Sequence, residues 1–246
     1  MIVCGILAGE ERVMYIVVIE GTDGSGKQTQ TAKLFERLNE EGLDVIKQSF
    51  PNYDSPSSAP VKMYLDGELC ENASELDAYQ TSILFATDRL CTYKQLARNM
   101  AGNEIVIFDR YVESNMLHQA CKISDKIERA KFVKWLDELE FGKLRLPRPN
   151  KVIFLDMPPE VRKNLLSKRE ISKFGSDKKD IHEKDEQHLL DAYATGKAMA
   201  KKFNWHVVKC VEGDRLRSIE EISDEIFDVV VKDIIKQQLS SGDLKF

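Results

Sequence analysis

The stretch from Tyr15 to Thr29 constrains this chain more than any other. An apolar run, Tyr15-Ile-Val-Val-Ile19, meets Glu20 and then a glycine-rich string, Gly21-Thr-Asp-Gly-Ser-Gly-Lys27. Glycine, four residues, then Gly-Lys is the spacing of a loop whose backbone N–H groups wrap phosphate oxygens at a helix N-terminus. The context fits, because a strand-like run comes first and Leu34 and Leu38 mark one side of a following amphipathic helix. Gly21, Thr22, Asp23, Gly24, Ser25, Gly26, Lys27, Gln28 and Thr29 are therefore the expected phosphate contacts of a nucleotide. Lys27 would reach the transferred phosphoryl group. A purely structural glycine turn is the competing reading. One position departs from the pattern: a Ser or Thr hydroxyl normally follows the lysine and ligates magnesium, and here stands Gln28. Metal binding is then expected to lean on carboxylates, waters and the nucleotide.

Short, nearly continuous apolar runs recur at residues 15–19, 45–50, 105–108, 152–155 and 205–211, with helix-length stretches between them. Runs without polar alternation suit strands covered on both faces. The pattern predicts a doubly wound α/β fold around a parallel sheet. The 246 residues, with neither repeat nor linker, predict one domain over 15–239, after an N-terminal extension (1–14) and before a flexible tail (240–246). A net charge of -5 supplies no global field for nucleic acid or an anionic membrane. No apolar stretch approaches the ~18 residues of a membrane span. Five scattered cysteines without a Cys-x-x-Cys pair suit reduced thiols in a cytoplasmic protein better than a disulfide framework or a zinc site.

Residues 74–101 read as the clearest helix. Leu76, Tyr79, Ile83, Ala86, Leu90, Tyr93, Ala97 and Met100 alternate in steps of three and four, which predicts one buried stripe. Phe85 and Arg89 stand four apart, beside that stripe. They read either as an edge-of-core ring with a solvated arginine, or as a ligand wall that stacks a base and grips a phosphate. The run 105–108 ends in Asp109-Arg110-Tyr111, an acid and a base at the carboxyl end of a strand, where α/β proteins bind ligands. Asp109 suits Mg²⁺ and Arg110 a bidentate phosphate clamp, although charges also simply cap strands. Ser114, Asn115 and His118 follow within two helical turns and could read a base edge or form a solvated face. The segment 167–180 carries five basic residues, Arg169 and Lys173 among them, without apolar periodicity. It reads as a basic flap that closes on phosphates or as a solvated loop.

Taken together, the glycine loop, Phe50-Pro51, Phe85 with Arg89, Asp109-Arg110-Tyr111 and the basic segment resemble the thymidylate kinase family, over about 15–230. The resemblance implies a five-stranded parallel sheet flanked by helices, a mobile lid (about 167–183), ATP as phosphoryl donor with Mg²⁺, and a homodimer. It gives Asp23 to the acceptor sugar, Phe50, Phe85, Arg89, Arg110, Ser114, Asn115 and His118 to the acceptor pocket, and Asp109 with Arg110 to metal and phosphates. Gly24 and Ser25 put no base inside the loop, so Arg169 or Lys173 in the lid would complete a catalytic set of Lys27 and Arg110. Three positions depart from the family pattern: Gln28, Tyr53 where an arginine often stands, and His118 where a tyrosine or phenylalanine crowds the sugar.

The expected reaction is phosphoryl transfer from ATP to deoxythymidine monophosphate. Kinases for a deoxynucleoside or another deoxynucleotide are the near alternatives, the former needing a carboxylate base for which Glu20 is the candidate. A non-catalytic nucleotide-binding protein is the alternative from another class.

Overall fold

The computed structural model of the protein describes residues 14–72, 75–101, 104–162 and 185–241, with side chains as far as 237. The strands are β1 (Tyr15–Glu20), β2 (Val45–Ser49), β3 (Ile105–Asp109), β4 (Lys151–Asp156) and β5 (His206–Lys209). The main helices are α1 (Lys27–Glu40), α2 (Ala59–Leu65), α3 (Ala78–Leu96), α4 (Val112–His118), α5 (Lys126–Asp137), α6 (Glu186–Lys202) and α7 (Ile219–Ser241). All five strands run parallel in the order β2-β3-β1-β4-β5. This is the doubly wound sheet that the uninterrupted apolar runs predict.

Side chains alternate across the sheet, and each set buries against its own helices. Val17, Ile19, Ile107 and Leu155 pack with Leu34 and Leu38 of α1 and Ile222, Ile226 and Val230 of α7. Ile16, Val18, Val106 and Phe108 pack with Val112 and Met116 of α4 and Phe132 and Leu136 of α5. Register then sets the site. Ile19 of β1 and Ser49 of β2 both pair with Asp109 of β3, so three strands end level. The glycine loop, Phe50-Pro51 and Arg110 open side by side at that edge.

Two expectations need correction. α3 spans Ala78–Leu96 rather than 74–101, because Asp77 and Gln80 close a capping box: Gln80 N donates to Asp77 Oδ1 (2.8 Å) and Asp77 N to Gln80 Oε1 (3.1 Å). Its apolar stripe is not the buried face throughout, since Tyr79 and Ile83 are 36% and 49% exposed. Thr81, Ser82, Asp88 and Arg89 are buried instead. Thr81 and Ser82 donate back to the carbonyls of Asp77 and Ala78 (2.9 and 2.7 Å), and Arg89 finds a buried carboxylate. Apolar periodicity cannot register polar groups that become burial-tolerant through pairing. The run 205–211 also shortens to His206–Lys209, and Val211 opens a small antiparallel hairpin with Arg215–Leu216.

Candidate active site

The loop between β1 and α1 is shaped by its glycines. Gly21 has φ 154, and a Cβ there would lie 2.7 Å from Ser25 Oγ and 3.1 Å from the Leu155 carbonyl. Gly26, at the helix N-cap, has φ 94, a left-handed conformation that an L side chain rarely adopts. α1 has neither a side-chain cap nor an acid in its first turn, so its N-terminal amides are not screened by carboxylates. Thr22, Ser25 and Lys27 are buried, Asp23, Gly24 and Thr29 half-buried, and Gln28 is exposed. The Lys27 ammonium folds back over the loop and donates to the Thr22 carbonyl at 2.9 Å.

Around this loop lies a dense set of charges. Arg110 takes a left-handed φ of 67, unusual for arginine, with its N–H held by the Ile19 carbonyl (3.1 Å). Its guanidinium pairs with Asp23 and approaches Glu20 Oε1 at 3.7 Å. Burial alone would lower its pKa, but the carboxylates of Asp23, Glu20 and Asp109 hold it well above the ordinary value. Lys27 is pushed down to about 8 by burial and by Arg110, against the pull of Asp23, Glu20 and Asp109. Nucleotide phosphates, being anionic, would raise the Lys27 pKa back toward its ordinary value. Glu20 is fully buried, and its oxygens accept from Gly21 N (2.9 Å) and Ser114 Oγ (2.7 Å). Both oxygens of Glu20 are thus occupied by groups of this chain.

A cavity opens beside the charged edge. Asp23 and Arg110 line it on the loop side, Phe50, Pro51 and Tyr53 after β2, Phe85, Asp88 and Arg89 from α3, and Ser114, Asn115, His118 and Gln119 from α4 and its end. Phe50 is buried edge-on against Phe108 (5.3 Å), while Phe85 is half-buried and meets Tyr64 edge-on (6.3 Å). His118 stacks on His188 of α6 at 5.8 Å. Asp109 is 9% exposed at the tip of β3 and does not line the cavity. Arg169 and Lys173 lie outside the described residues, as does the segment 167–183.

A sequence model of thymidylate kinase matches residues 19–210. The chain belongs to the thymidylate kinase family. It is 32% identical to a thymidylate kinase of Mycobacterium tuberculosis over 59% of this chain and 67% of that protein. A probable thymidylate kinase of Thermococcus onnurineus is 26% identical over 90% of this chain and 99% of its own. One from Caenorhabditis elegans is 27% identical over 63% and 68%.

In this thymidylate kinase-family chain, all eight residues expected at the acceptor converge on the cavity. Arg89 is buried rather than solvated: it is 1% exposed and paired with Glu140. Sequence reasoning missed several residues beside them. Asp88 fixes the turn after β2, accepting from Asn52 N (2.9 Å) and Ser57 Oγ (2.7 Å). Its place, three residues after Phe85, was the only signal. Arg162, 9% exposed, donates to the Asp23 carbonyl at 3.4 Å. Glu140 and Glu113 are buried acids in otherwise ordinary charged stretches and gave no signal at all.

Glu113 carries a consequence for stability. Its Oε2 is sealed without a hydrogen bond, and burial pushes its pKa up to about 8, with Glu20 and Glu140 adding to the shift against Arg89. The folded state therefore keeps a proton that the unfolded chain releases near the ordinary carboxylate value. Stability falls as pH rises between about 4.5 and 8, by up to ~1.4 kcal/mol per pH unit, and the loss levels off above. Glu113→Gln removes this term. Its melting temperature is expected to gain on that of the unsubstituted protein as pH goes from 5 to 8; a difference constant over that range would contradict the assignment.

Proposed function

We infer that this chain moves the γ-phosphoryl group of ATP onto deoxythymidine monophosphate, giving dTDP and ADP. The observation that carries this reading is the contact of Asp23 in the phosphate loop with Arg110 on the cavity wall, which joins two subsites at one edge. The loop and the α1 N-terminus suit the donor phosphates, and the cavity suits a flat base and sugar between aromatic and polar walls. Phe85 offers the base a face, Arg89, Asn115 and Ser114 offer polar contacts, and His118 stands toward the sugar.

The acceptor is itself a phosphate, so no strong general base is needed; positioning and charge compensation do most of the catalysis. Lys27 and Arg110 are the described cations placed to balance charge spreading over the transferred group. Arg169 and Lys173 are proposed to add lid charge. Among the described residues, no three His, Cys, Asp or Glu side chains converge as a metal cage. That suits Mg²⁺, which commonly takes one or two carboxylates and completes its shell with phosphates and water. Asp109 is the proposed carboxylate, directly or through water. The ion would neutralise phosphate charge, and the exposed side chain of Gln28 is not needed for it.

Two further proposals concern context. Among the described residues no helix is long and apolar enough to cross a membrane. Free thiols at Cys70, Cys91, Cys121 and Cys210 support a cytoplasmic location. A homodimer is supported by the exposed Tyr79 and Ile83 on α3, whose apolar character a partner copy would cover. Sedimentation equilibrium should then give twice the chain mass and Ile83→Glu the monomer; a monomeric unsubstituted protein would overturn that proposal.

ADP release with ATP and Mg²⁺, measured against thymidine and each deoxynucleoside monophosphate, tests the reaction. Deoxythymidine monophosphate should be the best acceptor. Product from thymidine but not from its monophosphate would sink the reading. Lys27→Ala should lower kcat at least ~100-fold with the fold intact, and activity near that of the unsubstituted protein would refute the phosphate-loop assignment.

A further inference from the structure

Glu140 lies in the turn of π-helix (Glu138–Lys143) that follows α5, is 0% exposed and does not line the cavity. It nevertheless touches two residues that do. Arg89 Nε donates to Glu140 Oε2 at 2.9 Å and Arg89 Nη2 donates to Oε1, while Arg89 Nη1 reaches the Tyr111 carbonyl at 3.4 Å. Asn115 Nδ2 donates to the Ser82 carbonyl at 3.3 Å and to Glu140 Oε1 at 3.4 Å.

Each contact has a directional consequence. A guanidinium has five N–H donors. Three of those on Arg89 are engaged, which leaves two on a planar group that Glu140 holds against rotation. The partners of Asn115 are a backbone carbonyl and a carboxylate oxygen, both acceptors only. They fix the amide with its NH₂ toward Glu140 and Ser82, and Oδ1 turned away from them. The cavity wall thus offers a donor from Arg89 and an acceptor from Asn115, and one buried carboxylate sets both polarities.

We propose that Glu140 is the positioning residue for base selection: by orienting Arg89 and Asn115 together, it makes the cavity complementary to a pyrimidine with a 4-oxo group beside an N3–H. A 4-amino pyrimidine presents the inverse pattern at those two atoms, a donor at C4 and an acceptor at N3. It would leave both wall groups mismatched in a buried place, where such errors are costly. This inference rests on the acceptor reading above. A carboxylate is required because each of its oxygens accepts from a fixed donor. Both oxygens accept from Arg89, so in Glu140→Gln the NH₂ group faces an Arg89 donor whichever way the amide sits, and at the Oε1 position it also faces Asn115 Nδ2; the Arg89 fork is broken in either case. In Glu140→Asp the charge survives but the arm is too short to hold both partners.

The test is kcat/KM for deoxythymidine and deoxycytidine monophosphates in the unsubstituted protein and both variants, together with KM for ATP. The expected result is a fall of at least about tenfold in the preference for the 4-oxo acceptor, carried mainly by loss on that acceptor. KM for ATP should stay within about twofold. If Glu140→Gln does not fold, Glu140→Asp, which keeps the buried charge balance, carries the measurement. An unchanged preference in a folded variant, or equal losses on both acceptors, would overturn the role of Glu140 while leaving deoxythymidine monophosphate as the substrate. Conversely, an unsubstituted protein that prefers another monophosphate, with that preference collapsing in the variants, would overturn the thymine reading and keep Glu140 as the positioning residue.

Discussion

Arg110 sits between two carboxylates, Glu20 and Asp23, at the level where β1, β2 and β3 end, and the site is organised about that contact. The sheet makes the contact possible. Parallel strands in register bring every β-to-α turn to one edge, and the apolar faces of β1 and β3 leave polar groups nowhere else to go. Arg110 follows β3 directly, in a left-handed conformation, and so points across β1 toward the loop rather than away from it. The loop contributes Asp23, the cavity begins at the same guanidinium, and the two subsites share a wall.

The charge balance of this edge accounts for its chemistry. Glu20, Asp23 and Asp109 hold Arg110 charged, while burial and that same arginine depress Lys27 toward neutral pH. A cluster of this kind suits anionic ligands, since phosphate oxygens would add negative charge beside Lys27 and offer its ammonium an acceptor other than the Thr22 carbonyl. Behind the cavity a second buried pair, Arg89 with Glu140, holds its position by mutual neutralisation. Glu113, largely protonated at neutral pH, leaves Glu140 as the counter-ion of Arg89. One end of the cavity is therefore lined by Asp23 and Arg110, and the other by Phe85 and the buried hydrogen-bonded groups of Arg89 and Asn115.

Much of this was legible in the sequence because it rests on short-range rules. Apolar runs announce buried parallel strands, and Gly21 and Gly26 announce a loop with backbone conformations that other residues resist. Asp109 and Arg110 were legible because charges that follow a buried strand mark its ligand-binding end. Other features obey no local rule. The face of α3 that carries Arg89 looked peripheral beside the apolar stripe, because Tyr79 and Ile83 supply periodicity without burial and Arg89 becomes buried only through a carboxylate 51 residues away. Glu140 was silent for the same reason. A buried acid is defined by its partners in space, and no spacing in the chain encodes them. Asp88 and Arg162 act on turns from neighbouring elements and share that limitation.

Arg110 is proposed to meet the acceptor's phosphate, and calorimetric titration tests this most directly. Deoxythymidine monophosphate and thymidine are titrated into the unsubstituted protein and into Arg110→Met, which keeps an unbranched apolar stem and removes the guanidinium with its donors. The monophosphate should bind at least about tenfold more tightly than the nucleoside to the unsubstituted protein, as one or two charge-assisted hydrogen bonds require. In the variant this preference should shrink toward unity, with thymidine affinity nearly unchanged. An undiminished preference for the monophosphate in Arg110→Met would contradict the account.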